Sequence, residues 1–493
     1  SGGSVNAVWN DSSKTAHWRK RAPGQPFFSV FNHEITHESQ IRKVPHELKH
    51  DPREVRIPAY HPDTPETRHD WAQYYDNIST MDGQIGKILA DLEKDGLKDN
   101  TIVFFYSDHG AGMPRSKRWP SNSGLQVPMI IHFPKKLSSL APSDYVAGEW
   151  SDRMVSFVDL APTLLNLAGL PAEEYHQGQA FLGTRIPPPR DFVFGFRGRM
   201  DERIDMVRSV RTKRYSYIRN YMPHRIYGQH VSYMFEMPTT RKWKELFDSG
   251  RTNEVQSRFW KTKPPEELYD LENDPDEVKN LAERPTSEQL SQLRKMRAAQ
   301  QTLATQIADV GFLPEYEMRE RSKPDAPYTM GHNLKRYNVS RVMIAAEIAT
   351  GARLPETDLL RTYLGDPDNA VRYWSIIGIL RLGAEAVKST LGELRGLLKD
   401  ASPNPMIMAA ETLARYGEPS DLAPAVEILL AAADVRRTGN YVAIAAMNSL
   451  TEIGAAKLRP YRARILALPK DSPSLNKREL SYVPRLVEHL VEI

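Results

Sequence analysis

Cysteine is absent from the 493 residues. Disulfides, thiolate metal sites and a cysteine nucleophile are therefore excluded within the chain. Long apolar runs are absent as well. Nothing approaches the roughly 18 consecutive apolar residues of a membrane span, and the longest runs, such as that around Ile102 to Tyr106, are strand-sized. Ser1-Gly2-Gly3-Ser4 has neither the charged n-region nor the apolar h-region of a signal peptide, and there is no Met start. The expectation is a chain that begins inside a longer protein. Charge of one sign is also scarce: the net charge is only +4, which suits either ordinary surface or a weak preference for polyanions. No nucleic-acid motif is present. The basic stretch Arg203 to Arg219 is interleaved with apolar residues and reads as strands.

What is present is ordinary globular material, 40% hydrophobic and 26% charged. At about 150 residues per domain the length suggests three domains. Residues 1–25 are polar and irregular. Pro26 to Asn32 (PFFSVFN) is a short apolar run bounded by Pro and Asn, which predicts a buried strand. A helix is predicted over 66–95, where Trp71, Tyr74, Tyr75, Ile78, Met81, Ile85, Ile88, Leu89 and Leu92 recur at helical spacing before Gly96. Thr101 to Ser107 (TIVFFYS) is apolar almost throughout, as a strand covered on both faces would be. Strand, helix, strand suggests a βαβ unit in a parallel sheet. Val127 to Phe133 predicts a further strand and Val155 to Ala168 a further helix.

Short aromatic runs then predict a small antiparallel sheet: Phe192 to Phe196, Met206 to Arg211 and Tyr215 to Tyr221, with Glu267 to Asp270 a further strand candidate. Thr286 to Asp309 is helical by composition. An internal repeat follows. Asp366 to Gly383 (DPDNAVRYWSIIGILRLG) matches Asp400 to Gly417 (DASPNPMIMAAETLARYG) at an offset of 34, and a weaker third copy ends at Ile453-Gly454. Each is a polar turn, an apolar helix and a Gly, as in HEAT-like repeats that stack to bury what one unit cannot.

Three polar loops carry the candidate chemistry. Ser107-Asp108-His109-Gly110 closes a predicted strand. Adjacent Asp and His can reach one metal ion, or can simply hydrogen-bond. Lys117, seven residues beyond Gly110, suits an anionic group such as sulfate or phosphate, or is one more solvated lysine. In Asn32-His33-Glu34-Ile35-Thr36-His37-Glu38-Ser39 a histidine can donate a proton to a leaving oxygen, ligate zinc, or be a satisfied loop residue. On one edge of one sheet the three loops would offer metal ligands, a cation and a proton donor.

On these residues the chain resembles a sulfatase of the alkaline-phosphatase superfamily. PFFSVFNHEITHES is similar to the family's strand-plus-histidine segment. Tyr74 to Gly110 (YYDNISTMDGQIGKILADLEKDGLKDNTIVFFYSDHG) resembles the family along its whole length. Lys117 lies 11 residues before Pro128, as in the family's lysine-to-proline segment, and Glu267 to Ala282 (ELYDLENDPDEVKNLA) resembles its C-terminal subdomain. The resemblance spans roughly residues 10–325. It implies an α/β, alkaline-phosphatase-like core with a mixed, largely parallel sheet over 1–190, a small antiparallel C-terminal subdomain over 191–325, and all-α HEAT-like repeats over 333–493.

By the same resemblance Asp108 and His109 would ligate a divalent cation, most often Ca2+. His109 stands where many members have Asn, a softer ligand that opens Mn2+ or Zn2+. Lys117 would bind the sulfate and the bridging oxygen. His37 would contact the sulfate and protonate the leaving alcohol, with His33 as a substrate contact. The implied substrate is a sulfated saccharide or other sulfate ester, and the implied location periplasmic or secreted. Two family features are not found: an Asp-Asp pair on a first strand, and the C/S-x-P-S-R motif that yields the formylglycine nucleophile. Ser472-Pro473-Ser474 lacks the following Arg. The chain alone is therefore expected to be inactive. A phosphonate or phosphodiester hydrolase of the same superfamily, and a non-catalytic repeat-based binding protein, are the other readings.

Overall fold

The computed structural model describes residues 8–351, 353–473 and 479–492; Ser1 to Ser4 and Ser474 lie outside them. Helix α1 is a single turn, Glu38–Ile41. Helix α2, Pro65–Lys94, starts where Thr64 accepts from the Thr67 N–H with Pro65 in the first turn. It stops at Gly96, whose φ of +69° lets the chain turn out of the helix. Its N-terminal half buries Asp70, Trp71, Gln73, Asp76 and Asn77. Beyond Met81 only part of the predicted apolar face is covered, and Leu89 is exposed.

The parallel sheet is not what forms. Strand β1, Val103–Tyr106, pairs antiparallel with β2, Met129–His132, aligning Val103 with His132 and Tyr106 with Met129. Parallel pairing needs a crossover of a dozen or more residues, usually helical. The β1–β2 connection instead folds into the Lys117 loop, whose one α-helical segment is the turn Asn122–Leu125. Pro26 to Asn32 joins no ladder, and its Phe28 is 60% exposed. The burial of both faces expected of Thr101 to Ser107 is likewise absent, since Tyr106 on β1 is 41% exposed. Periodicity shows that a run is apolar, but not which strand lies beside it.

Farther along, Leu160–Leu167 forms α3. The three aromatic runs and the further strand candidate become one antiparallel meander: β3 Val193–Arg197, β4 Val207–Arg211, β5 Tyr215–Asn220 and β6 Glu266–Asp270, in the order β3-β4-β5-β6. A short helix α4, Ser232–Phe235, lies in the β5–β6 excursion. Helix α5, Ser287–Gln306, is capped by a reciprocal Thr286–Gln289 box and lays Leu293 and Met296 on Val210, Tyr217 and Leu268.

The repeats are helical as predicted: α6 Val339–Gly351, α7 Asn369–Leu382, α8 Pro403–Tyr416, α9 Asn440–Ile453 and a last helix α10 Tyr482–Glu492. Their core is continuous with Met206, Tyr221, Met222 and Phe312 of the preceding segment. The array is therefore packed onto the meander as one apolar body. Among the described residues no helix is long and apolar enough to cross a membrane.

Candidate active site

The His37 loop and the Lys117 loop come together. His37 is the N-cap of α1, and Glu38 opens that helix. The loop after β1 approaches α1 at Gly112, where an added Cβ would lie 2.7 Å from the Glu38 Cβ and 2.9 Å from its Cα. Only a glycine allows that approach. It brings Lys117 Nζ to 2.8 Å from Glu38 Oε1 and to 3.1 Å from His37 Nε2. Arg118 grips the same carboxylate with both terminal nitrogens, at 3.0 and 2.8 Å, and reaches Asp201 at 3.1 Å. Arg115 and Arg118, on either side of Lys117, both have positive φ, 67° and 83°. Such backbone persists only where the surroundings hold it.

Those surroundings include the segment ELYDLENDPDEVKNLA. Asp274 accepts from the Val278 and Lys279 N–H groups, which folds the turn. The turn then presents Glu277: its carboxylate accepts from the Asn122 N–H at 2.9 Å, and its carbonyl accepts from Arg115 at 2.9 Å. Arg197 of β3, itself paired with Asp205, donates to the Arg118 carbonyl. The meander thus braces the loop that carries Lys117.

Electrostatics fix the protonation pattern. Glu38 is 1% exposed. Burial alone would push its pKa up, but the hydrogen bonds and charges of Arg118 and Lys117 outweigh that and hold it below the usual carboxylate value. His37 lies below the ordinary imidazole value, first because it is partly desolvated and second because Lys117 is beside it. An ammonium only donates, so Nε2 accepts from Lys117 and the ring proton sits on Nδ1, 2.9 Å from Ser39 Oγ. The Ser39 N–H also points at Nδ1, at 3.3 Å, but one tautomer cannot satisfy both demands. The result is a neutral imidazole and an ammonium sharing one proton position.

Of the other predicted residues, His109 lies near enough for its charge to act on His37. His33 Nδ1 meets Gln84 Oε1 on α2 at 2.9 Å. Asp108 is almost fully exposed, and its Oδ1 lies 3.7 Å from His109 Nε2. His109 Nδ1 is 2.7 Å from the Gly110 carbonyl, which places its proton there and leaves Nε2 free to accept. Asp108 and His109 can therefore face one cation together. Two donors are fewer than a metal shell needs, and no group of three or more His, Cys, Asp or Glu converges among the described residues. The pair fits one side of a metal site and does not make one alone.

Four residues of the site were not singled out in the sequence: Glu38, Arg118, Arg42 and Tyr233. Glu38 and Arg118 adjoin His37 and Lys117 in the chain, and that adjacency was the one available signal. Tyr233 comes from α4, with its ring centroid 6.2 Å from that of His37.

Residues 6–170 match the sulfatase family model, and residues 357–448 match HEAT repeats. Among curated proteins, an ulvan-active sulfatase of Formosa agariphila is 39% identical over 350 residues, covering 63% of this chain and 57% of that protein. A second ulvan-active sulfatase of the same organism is 30% identical over 220 residues, 43% of this chain and 39% of its own length. Human N-sulphoglucosamine sulphohydrolase is 27% identical over 296 residues, 56% of each chain. This chain thus spans about half the length of the curated relatives it matches. Residues 6–170 are thus similar to sulfatases and residues 357–448 to HEAT repeats.

Proposed function

We propose that this site binds the sulfate ester of a carbohydrate and serves its hydrolysis. The observation that carries the reading is the Lys117–His37 contact of 3.1 Å, held in place by the buried Glu38. Lys117 supplies positive charge to the sulfate and to the bridging oxygen as the S–O bond breaks. The departing alkoxide needs a proton, and the one between Lys117 Nζ and His37 Nε2 is at hand. Protonated His37 is a stronger acid than a free imidazolium because its pKa is lowered. His33, on the α2 side, is the outer substrate contact of this reading.

Asp108 and His109 would hold one side of a divalent cation, calcium by family resemblance and manganese or zinc by the softness of the imidazole; such an ion would supply charge stabilisation to the sulfate oxygens. The attacking group of the family, a formylglycine, has no source among these residues, which hold no Cys and no C/S-x-P-S-R string. A periplasmic or secreted location is part of the same reading.

Calorimetric titration of the chain with p-nitrophenyl sulfate and p-nitrophenyl phosphate tests it. The sulfate ester is expected to bind without turnover, and Lys117→Ala is expected to weaken it by about tenfold, or roughly 1.4 kcal/mol. Tighter, equally Lys117-dependent binding of the phosphate ester would favour the phosphodiester or phosphonate reading. Binding indifferent to Lys117 would overturn the site, and sulfate release by the chain itself would overturn its predicted inactivity.

A further inference from the structure

We propose that Tyr233 and Arg42 form the sugar-facing wall of this site, and that Arg42 reads a second acidic group on the saccharide at a position now filled by Glu236. The inference rests on the sulfate-ester reading above. A group that protonates a leaving oxygen must lie beside it, and Lys117 already occupies one side of the His37 Nε2. The sugar attached to that oxygen therefore extends along the other surfaces that the imidazole meets. One of these is Tyr233, half-buried, its ring tilted 47° to His37 at 6.2 Å between centroids. A rigid aromatic ring at the edge of a polar site is a suitable platform for the apolar face of a sugar.

Arg42 caps the far end of α1 and lies over the Tyr233 ring, with its guanidinium carbon 4.3 Å from the centroid. Its side chain is 13% exposed and is ion-paired with Glu236. The two ion pairs of this region differ in kind. Glu38, the partner of Lys117 and Arg118, is 1% exposed and cannot leave without stranding two cations. Glu236 is 52% exposed and would be solvated on leaving. Arg42 would keep its ring contact and its planar donor fork, which matches a carboxylate or a sulfate. The exposed glutamate thus stands where a substrate anion would sit.

The test uses three probes against the full chain: glucose 6-sulfate, a disulfated glucosamine, and a sulfated disaccharide carrying a uronate. Arg42→Met is expected to weaken the two doubly acidic probes about tenfold and glucose 6-sulfate several-fold less. Glu236→Gln is expected to strengthen the same two probes about threefold, because it removes the competing anion. A purely structural ion pair would give both variants the same sign, so equal weakening of all probes by Arg42→Met, or weakening by Glu236→Gln, overturns the proposal. Whichever doubly acidic probe shows the larger response identifies the anion as carboxylate or sulfate. Lys117→Ala should weaken all three. Indifference to Lys117 would sink the sulfate-ester reading itself, whereas Lys117 dependence without an Arg42 effect would sink only the wall. Unchanged thermal unfolding midpoints show that the variants fold.

Discussion

At the residue scale the centre of the site is a buried carboxylate, Glu38, shared by two cations. Its position explains why Lys117 points at a histidine that burial already keeps neutral. The charge of Lys117 is the second cause of the lowered His37 pKa, and Glu38 works against it. Removing the ammonium should therefore raise the pKa. An NMR titration of the His37 ring is expected to show a midpoint below 6.5 in the native chain and a higher one in Lys117→Met. A midpoint that stays put would mean that the 3.1 Å contact does not persist in solution. His37 and Lys117 were legible in the sequence because their spacing follows a family pattern. Glu38 was not, since one glutamate in a polar loop looks like any other until its burial is known.

At the element scale the chemistry depends on how one loop lies on one helical turn. Gly112 is the point of contact, with Glu38 backbone and Cβ atoms 2.7 to 3.0 Å from where its own Cβ would stand. The neighbours there are main chain and cannot swing aside. Gly112→Ala should cost about 1–3 kcal/mol of stability and should also abolish the Lys117-dependent binding. Urea unfolding together with the titration of p-nitrophenyl sulfate checks both; lost stability with binding intact would mean that the loop reaches α1 by another route. The meander, α2, α5 and the repeat helices were all legible within a few residues, because their aromatic runs, caps and periodicities are local. The pairing of β1 was not. Its run reads equally well as parallel or antiparallel until the connection to its neighbour is folded.

At the scale of the whole molecule the repeats and the meander share one core, from Met206 and Tyr221 through to Leu490. A stacked pair of imidazoles marks the end of that seam: His230, two residues before α4, lies against His489 of α10 with centroids 4.1 Å apart and planes 16° apart. Burial, with the nearby positive charge of Arg203, lowers both, to about 4 for His230 and about 3 for His489. A histidine with a depressed pKa favours the folded state while it stays neutral. Its contribution is full above the ordinary value near 6.5 and is lost as pH falls towards the folded value. The chain is thus expected to lose stability between about pH 6 and pH 4, and His489→Phe should flatten that loss. Urea midpoints at pH 7 and pH 4.5 decide; identical slopes in both proteins would remove the seam from the account.

The sequence by itself determined a segment similar to sulfatases, an antiparallel meander and a helical repeat array. Those properties follow from local patterns, in which each residue's role depends on neighbours a few positions away. It also named five candidate side chains, His33, His37, Asp108, His109 and Lys117, without showing which of them would touch. Only the tertiary structure decided that His37 and Lys117 meet, at 3.1 Å, while His33 pairs with Gln84 and His109 lies beside Asp108. Only it supplied Glu38, Arg42 and Tyr233. The physical reason is that burial, a shared carboxylate and an aromatic wall are properties of contacts between distant segments, and no stretch of chain carries them alone.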